Sequence, residues 1–250
     1  MAEPARTTPS DLRARLEASA GGQGDGLRAG LWVGYLDAYG LEVVRGHGPD
    51  WIGVDLQHGN LDLSALPDLL RVAECAGLPL LARTPSHDPA TLGRVLDCGV
   101  GGIIVPMVES SDQAGAVVAA SRTPPRGSRS TGACRSTLGV CHAPEEPLVL
   151  PMVETAAGLE HAAEILAVPG VDGVFFGPYD FSISAGFPSA RSPETVDALR
   201  EVILLARAAG KIVGFMAGQP ELLAVAPEAD LVAVDTDVSA LRLGLGQLFG

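Results

Sequence analysis

Eight short apolar runs, near residues 31, 51, 79, 102, 148, 171, 211 and 230, recur along this chain, with a helical pattern after nearly every one. Each is too short for a surface helix and too uniformly apolar for a half-wet strand, so each reads as a strand buried on both faces of a parallel sheet. Eight strand-helix units predict an α/β fold, the closed TIM (β/α)8 barrel, as a single domain. An open doubly wound sheet would want a Gly-rich phosphate turn after its first strand, and none is there. The barrel is expected over 29–250. Residues 1–28, rich in Ala, Gly and Arg, are expected to form a peripheral N-terminal segment.

The stretch Leu148–Ser182 carries the clearest chemistry. Its two apolar runs, Leu148–Val153 and Val171–Phe176, each lead into a carboxylate: Glu154 at once, Asp180 after Gly-Pro-Tyr. Neighbouring parallel strands point the same way, so both carboxylates should emerge at one edge. Two such groups repel unless a cation lies between them. Carboxylate oxygens with positions left for water and substrate suit Mg²⁺ or Mn²⁺. The bland alternative makes them helix N-terminal carboxylates, favoured by the helix dipole.

Other polar residues mark the same edge. Asp55 and His58 follow the strand at Trp51–Leu56, and Arg83 follows the run that opens at Pro79. Barrel enzymes keep their chemistry at the carboxyl ends of the strands. Arg83 is either a structural bridge to Glu154 or Asp180, or a guanidinium fork for a substrate oxygen. His58 reads as a general base whose tautomer Asp55 could set. His87, His142 and His161 lack such a setting. The long connection Thr123–Glu146 has little periodicity and carries Arg126, Arg129 and Arg135. Such a loop suggests a lid, and its arginines would either be solvated or meet an acidic substrate group.

A formal charge of −13, with 17 Lys and Arg, argues against a nucleic-acid partner. No apolar run approaches the roughly 18 residues of a membrane span, and the opening residues lack a signal-like apolar core, so a cytoplasmic protein is expected. Cys75, Cys98, Cys134 and Cys141 show no C-x-x-C spacing, so free or buried thiols are expected.

The stretches GLWVG, VDLQHG, LAR with the following DP, RVLDCG, IIVPMV, PPRGSR, VET and GVDGVFFGPYDFS together resemble the HpcH/HpaI aldolases, from about Gly30 to Ala240. The resemblance implies a metal-dependent pyruvate aldolase with a divalent ion, Mg²⁺, Mn²⁺ or Co²⁺. It assigns Glu154 and Asp180 to the metal, Arg83 to the enolate, His58 to the base, and Asp55 and Asp97 to polar support. Gly177, Pro178 and Tyr179 would receive the pyruvate carboxylate. The sequence departs from the family pattern at Gln57, where several members have Glu, at Met152, where several have Gln, and at Tyr179, which replaces a small residue.

The activity so implied is cleavage or formation of 4-hydroxy-2-oxo acids from a small 2-oxo acid and an aldehyde. A citryl- or malyl-CoA lyase-like enzyme would share the barrel but needs basic residues near the rim. A non-catalytic barrel subunit could lose the metal pair. The last helix gathers Leu241, Leu243, Leu245, Leu248 and Phe249, more apolar surface than a terminal helix usually hides. In the resembled family such helices pack across subunits, so a homo-oligomer, a trimer or hexamer, is expected.

Overall fold

The computed structural model describes Leu12, Leu16, residues 29–139 and residues 146–250. Eight parallel strands close on themselves in sequence order: β1 (Ala29–Val33), β2 (Trp51–Asp55), β3 (Leu80–Arg83), β4 (Gly102–Val105), β5 (Leu148–Val153), β6 (Gly173–Phe176), β7 (Ile212–Met216) and β8 (Leu231–Thr236). The predicted barrel is present.

Helices cover the outside. They are α1 (Ala38–Val44), α2 (Leu66–Ala76), α3 (Pro89–Asp97), α4 (Ser111–Ser121), α5 (Ala156–Glu160), α6 (Ala162–Ala167), α7 (Pro178–Ser184), α8 (Pro193–Ala208), α9 (Pro220–Leu223) and α10 (Asp237–Phe249). Local chemistry sets several ends. Asp88 accepts from the Thr91 amide at 2.8 Å before Pro89 opens α3. Gly77 closes α2 in the left-handed region at φ 71°. Two short helices, α5 and α6, parted at His161, run between β5 and β6.

Strand alternation divides the core. Leu148, Leu150 and Met152 of β5 join Trp51, Leu81 and Phe175 inside the barrel, while Val149 and Val153 face the helices. Leu12 and Leu16, 1% and 0% exposed, belong to this interior cluster. The expectation of a peripheral segment over 1–28 is therefore corrected at these two residues. Apolar side chains in that stretch gain from filling the barrel's interior.

The period of two also fixes the site. Inward Trp51 and Gly53 put Asp55 on the inside, Leu81 does the same for Arg83, and Leu148, Leu150 and Met152 lead to Glu154. All three emerge at the carboxyl rim. By contrast, residues 122–139 and 146–147 follow a helix and precede β5, and so lie at the amino-terminal face. The lid reading of Thr123–Glu146 is corrected for this chain's own rim. Cys141, His142 and the rest of 140–145 lie outside the described residues.

Candidate active site

A cavity of about 360 Å³ opens at the carboxyl rim, with Asp55, His58, Arg83, Glu154, Gly177, Pro178, Tyr179 and Asp180 in its lining. Eight of the nine residues singled out by sequence thus meet at one place. The ninth, Asp97, does not. It ends α3 and accepts from Arg129 Nη2 at 2.7 Å at the opposite face. A helix that leaves the rim after β3 must return to the far end of the barrel before β4, and Asp97 returns with it. Its expected role as polar support is corrected within this chain.

Asp55 and Arg83 form a buried fork. Arg83 donates from Nε to Asp55 Oδ1 at 3.0 Å and from Nη2 to Oδ2 at 2.5 Å. Trp32 Nε1 donates to Oδ2 at 3.2 Å, and the Trp32 ring lies 5.4 Å beneath the guanidinium carbon. The amides of Gln57 and His58 donate to Oδ1 at 2.9 and 3.2 Å. Burial pushes the Asp55 carboxyl up, but the hydrogen bond and charge of Arg83, with those two amides, outweigh it and hold the pKa below its ordinary value. The bridge expected from Arg83 to Glu154 or Asp180 is made to Asp55 instead: Asp55 takes Nε and Nη2, and Nη1 takes no part in the fork. Asp55 meets His58 at its backbone amide, not its ring, so the expectation that it sets the imidazole tautomer is corrected. His58 itself is exposed.

Glu154 is 2% exposed. Its Oε1 accepts from the Met107 amide at 2.7 Å, while Oε2 is buried with no hydrogen-bond partner. Burial raises its pKa, and the charge of Asp180 adds to the rise. Met107 sits at φ 56°, a conformation that costs a non-glycine residue about 1–3 kcal/mol. The strain presents its amide to the carboxylate. A Cβ on Gly177 would lie 2.8 Å from Glu154 Oε2, so glycine there keeps the space beside that oxygen open. Asp180 stands exposed in the first turn of α7. Among the described residues no cluster of three His, Cys, Asp or Glu could enclose a metal. Two carboxylates, one with an orphaned oxygen, instead fit a hard cation that keeps water or substrate oxygens in its remaining positions.

The arginines of the long connection are committed elsewhere. Arg126 pairs with Glu146, Arg129 with Asp97, and Arg135 with Glu74 at 2.6 Å. Arg129 and Arg135 are largely buried while Arg126 stays exposed, and none of the three lines the rim cavity, so among the described residues they supply no basic patch of the kind a CoA ester would want there.

The profile of the HpcH/HpaI aldolase/citrate lyase family matches residues 28–237. The chain belongs to this family. It is 34% identical over 227 residues to a hydroxypyruvate/pyruvate aldolase of Chromohalobacter salexigens, covering 86% of this chain and 89% of the relative. It is 36% identical over 222 residues to a 4-hydroxy-2-oxovalerate aldolase of Rhodococcus jostii, covering 85% and 86%. A crystal structure of a family protein from Burkholderia cenocepacia superposes with a TM-score of 0.81 at 29% identity, over 96% of this chain and 99% of that one. The relatives are named as aldolases, which are carbon–carbon lyases, but their names give different substrates.

Residues missed by the sequence reading complete the family member's site. Trp32 floors it and Met107 holds Glu154. Asp237, 2% exposed, accepts from the amides of Gly34, Tyr35 and Leu36 at 2.9–3.0 Å and so fixes the loop after β1. Met216, Gly218, Asp235 and Thr236 line the remaining wall. Asp235 and Thr236 end a strand, so the rim rule that found Arg83 could have found them.

Proposed function

We propose that this rim cavity is the active centre of a metal-dependent aldolase that cleaves or forms 4-hydroxy-2-oxo acids, with pyruvate or a close 2-oxo acid as one partner and an aldehyde as the other. The observation that carries the reading is the buried, unpartnered Oε2 of Glu154, beside a bare glycine and in a pocket shared with Asp180 and Arg83. Glu154 and Asp180 would hold a divalent cation, with Mg²⁺ or Mn²⁺ favoured by the all-oxygen donors. Such an ion supplies Lewis-acid polarisation of the keto group.

The chain's own residues perform the remaining steps. In cleavage, His58 accepts the proton of the C4 hydroxyl, directly or through water. The C3–C4 bond breaks, the aldehyde leaves, and the electron pair stays with pyruvate as its enolate. The Nη1 hydrogens of Arg83 meet the developing charge on the enolate oxygen, while Asp55 and Trp32 hold the fork in place. A proton returned to C3 gives pyruvate. Pro178 has no amide hydrogen, so a carboxylate received at the Gly177–Tyr179 turn would rely on the amide of Tyr179.

The reading is tested by supplying a 4-hydroxy-2-oxo acid with Mg²⁺ or Mn²⁺ and coupling pyruvate release to a dehydrogenase. Steady pyruvate formation is expected. Its absence across substrates of different aldehyde length would sink the reading.

Assembly belongs to the same proposal. Helix α10 buries only Asp237, and Leu243, Leu248 and Phe249 are 64%, 76% and 85% exposed. Meanwhile Val43, Val44, Pro49 and Val234 line an apolar groove between α1 and the β1–β8 seam, where a barrel helix would ordinarily pack. A closed homo-oligomer in which α10 of one copy covers a neighbour satisfies both surfaces. Three described cysteines are free, which suits a reducing cytoplasm, and among the described residues no helix is long and apolar enough to cross a membrane.

A further inference from the structure

The cavity holds one carboxylate that the chemistry above does not use. Asp235 lies near the end of β8, whose register with β1 slips: Gly30 faces Ala233 while Leu31 faces Asp235, which makes Val234 an extra residue. Bulges bend a strand and re-aim the side chains around them, and here both Asp235 and Thr236 line the cavity. Asp235 Oδ1 accepts from the Thr236 amide at 2.7 Å. Among the described residues no cationic side chain pairs with it.

Tyr179 reaches the same place from α7. A Cβ on Gly218, which sits at φ 65°, would lie 2.8 Å from the Tyr179 hydroxyl and 3.9 Å from Asp235 Oδ1. The hydroxyl and the carboxylate therefore flank one bare glycine, and Gln219 donates to the hydroxyl oxygen at 3.4 Å. Of the basic side chains in the lining, Arg83 is held by Asp55 and His58 is the proposed base. Among the described residues this wall offers hydroxyl, amide and carboxylate groups, and no cation.

We propose that Asp235, together with Tyr179, selects the aldehyde: the acceptor is uncharged and bears a hydroxyl group, and aldehydes bearing a carboxylate are rejected. This rests on the aldolase reading of the cavity. A substrate hydroxyl donates to Asp235 and accepts from Tyr179, whereas a carboxylate only accepts and brings like charge toward Asp235.

The test measures kcat/KM for glyceraldehyde and for succinic semialdehyde, each with pyruvate and Mg²⁺, in wild-type and Asp235→Asn protein. Asn keeps an oxygen for the Thr236 amide and removes the charge. Wild-type protein should favour glyceraldehyde, and Asp235→Asn should shift the ratio toward succinic semialdehyde by about tenfold or more, since each tenfold step corresponds to about 1.4 kcal/mol of discrimination. General damage to the enzyme lowers both rates and leaves their ratio alone. An unmoved ratio, or a wild-type protein that uses succinic semialdehyde as well as glyceraldehyde, overturns the proposal. Exchange of pyruvate methyl protons by the wild-type protein without aldehyde separates the two levels of the argument. No exchange counts against the aldolase reading itself; exchange with an unmoved ratio counts against Asp235 alone.

Discussion

Replacing Arg83 by Lys tests the proposed enolate partner apart from the proposed base. Arg83 spends Nε and Nη2 on Asp55, at 3.0 and 2.5 Å, and still has Nη1. Lys has one ammonium nitrogen, which can pair with Asp55 or approach the substrate oxygen but cannot reproduce the fork that does both. Losing one preorganised donor to a developing oxyanion costs roughly 10²–10³ in rate, about 2.7–4 kcal/mol. Aldol cleavage, oxaloacetate decarboxylation and pyruvate methyl exchange all pass through the same enolate, so all three should fall together by that factor. His58→Ala should behave differently, because decarboxylation removes no hydroxyl proton: cleavage should collapse while decarboxylation largely survives. The assay is steady-state pyruvate release for the first two reactions and loss of the methyl proton signal in deuterated water for the third. Equal loss of decarboxylation in both variants would refute the division of labour and make His58 a structural or water-holding residue.

Metal removal should abolish all three activities, and Mg²⁺ or Mn²⁺ should restore them; full activity after exhaustive chelation would refute the metal's role. Glu154→Gln keeps an oxygen for the Met107 amide and removes a buried charge, so the metal-free variant should melt no lower than metal-free wild type yet gain nothing from added Mg²⁺. A large metal-dependent rise in its Tm would show that the ion binds elsewhere. Asp55→Asn should destabilise by on the order of 3 kcal/mol at neutral pH, because it leaves Arg83 buried without its counter-charge. The folded pKa of Asp55 is depressed, so its stabilisation is present above the ordinary carboxylate value and is lost as pH falls through the lowered one. The Tm gap between wild type and Asp55→Asn should therefore narrow below about pH 4, and a gap that widened there would contradict the pairing. Removing Leu241–Gly250 deletes four leucines and a phenylalanine, each worth roughly 1.5–3 kcal/mol when buried; light scattering should then report smaller assemblies, and a wild-type protein already monomeric at micromolar concentration would end the oligomer proposal.

The barrel was legible because its strands are buried on both faces and so stand out as unbroken apolar runs. Their ends were less so. The fourth run reads on to Val108, but β4 stops at Val105, since Pro106 has no amide to give the ladder and Met107 turns left-handed for Glu154. Asp55, Arg83, Glu154 and Asp180 were legible because a charged side chain directly after an apolar strand needs a partner at the rim. Asp97 carried an opposite signal that the family likeness obscured: it ends a helix, and helices end at the far face. Leu12 and Leu16 could not be placed, because nothing local says that a short apolar pair will occupy the interior of a barrel whose strands begin later. Asp235, at a strand end, was open to the rim rule, but its orientation was not. Its aim depends on a bulge between β8 and β1, residues some two hundred positions apart.

Charge accounting ties these pieces into one pocket. Asp55, Glu154, Asp180 and Asp235 line it against the single guanidinium of Arg83. Arg83 and Asp55 pair at hydrogen-bond distance, and their charges act on Glu154 in opposite senses. On the proposed reading one divalent ion would offset Glu154 and Asp180, and an anionic 2-oxo acid would then have a positive centre to meet in a protein whose net charge of −13 would otherwise repel it. Asp235 remains after that balance is struck, beside Gly218 and Tyr179. On the proposed reading the cavity is two-ended, with a cationic end for the oxo acid and an anionic wall for the aldehyde. A second carboxylate on the substrate would find its compensation already used.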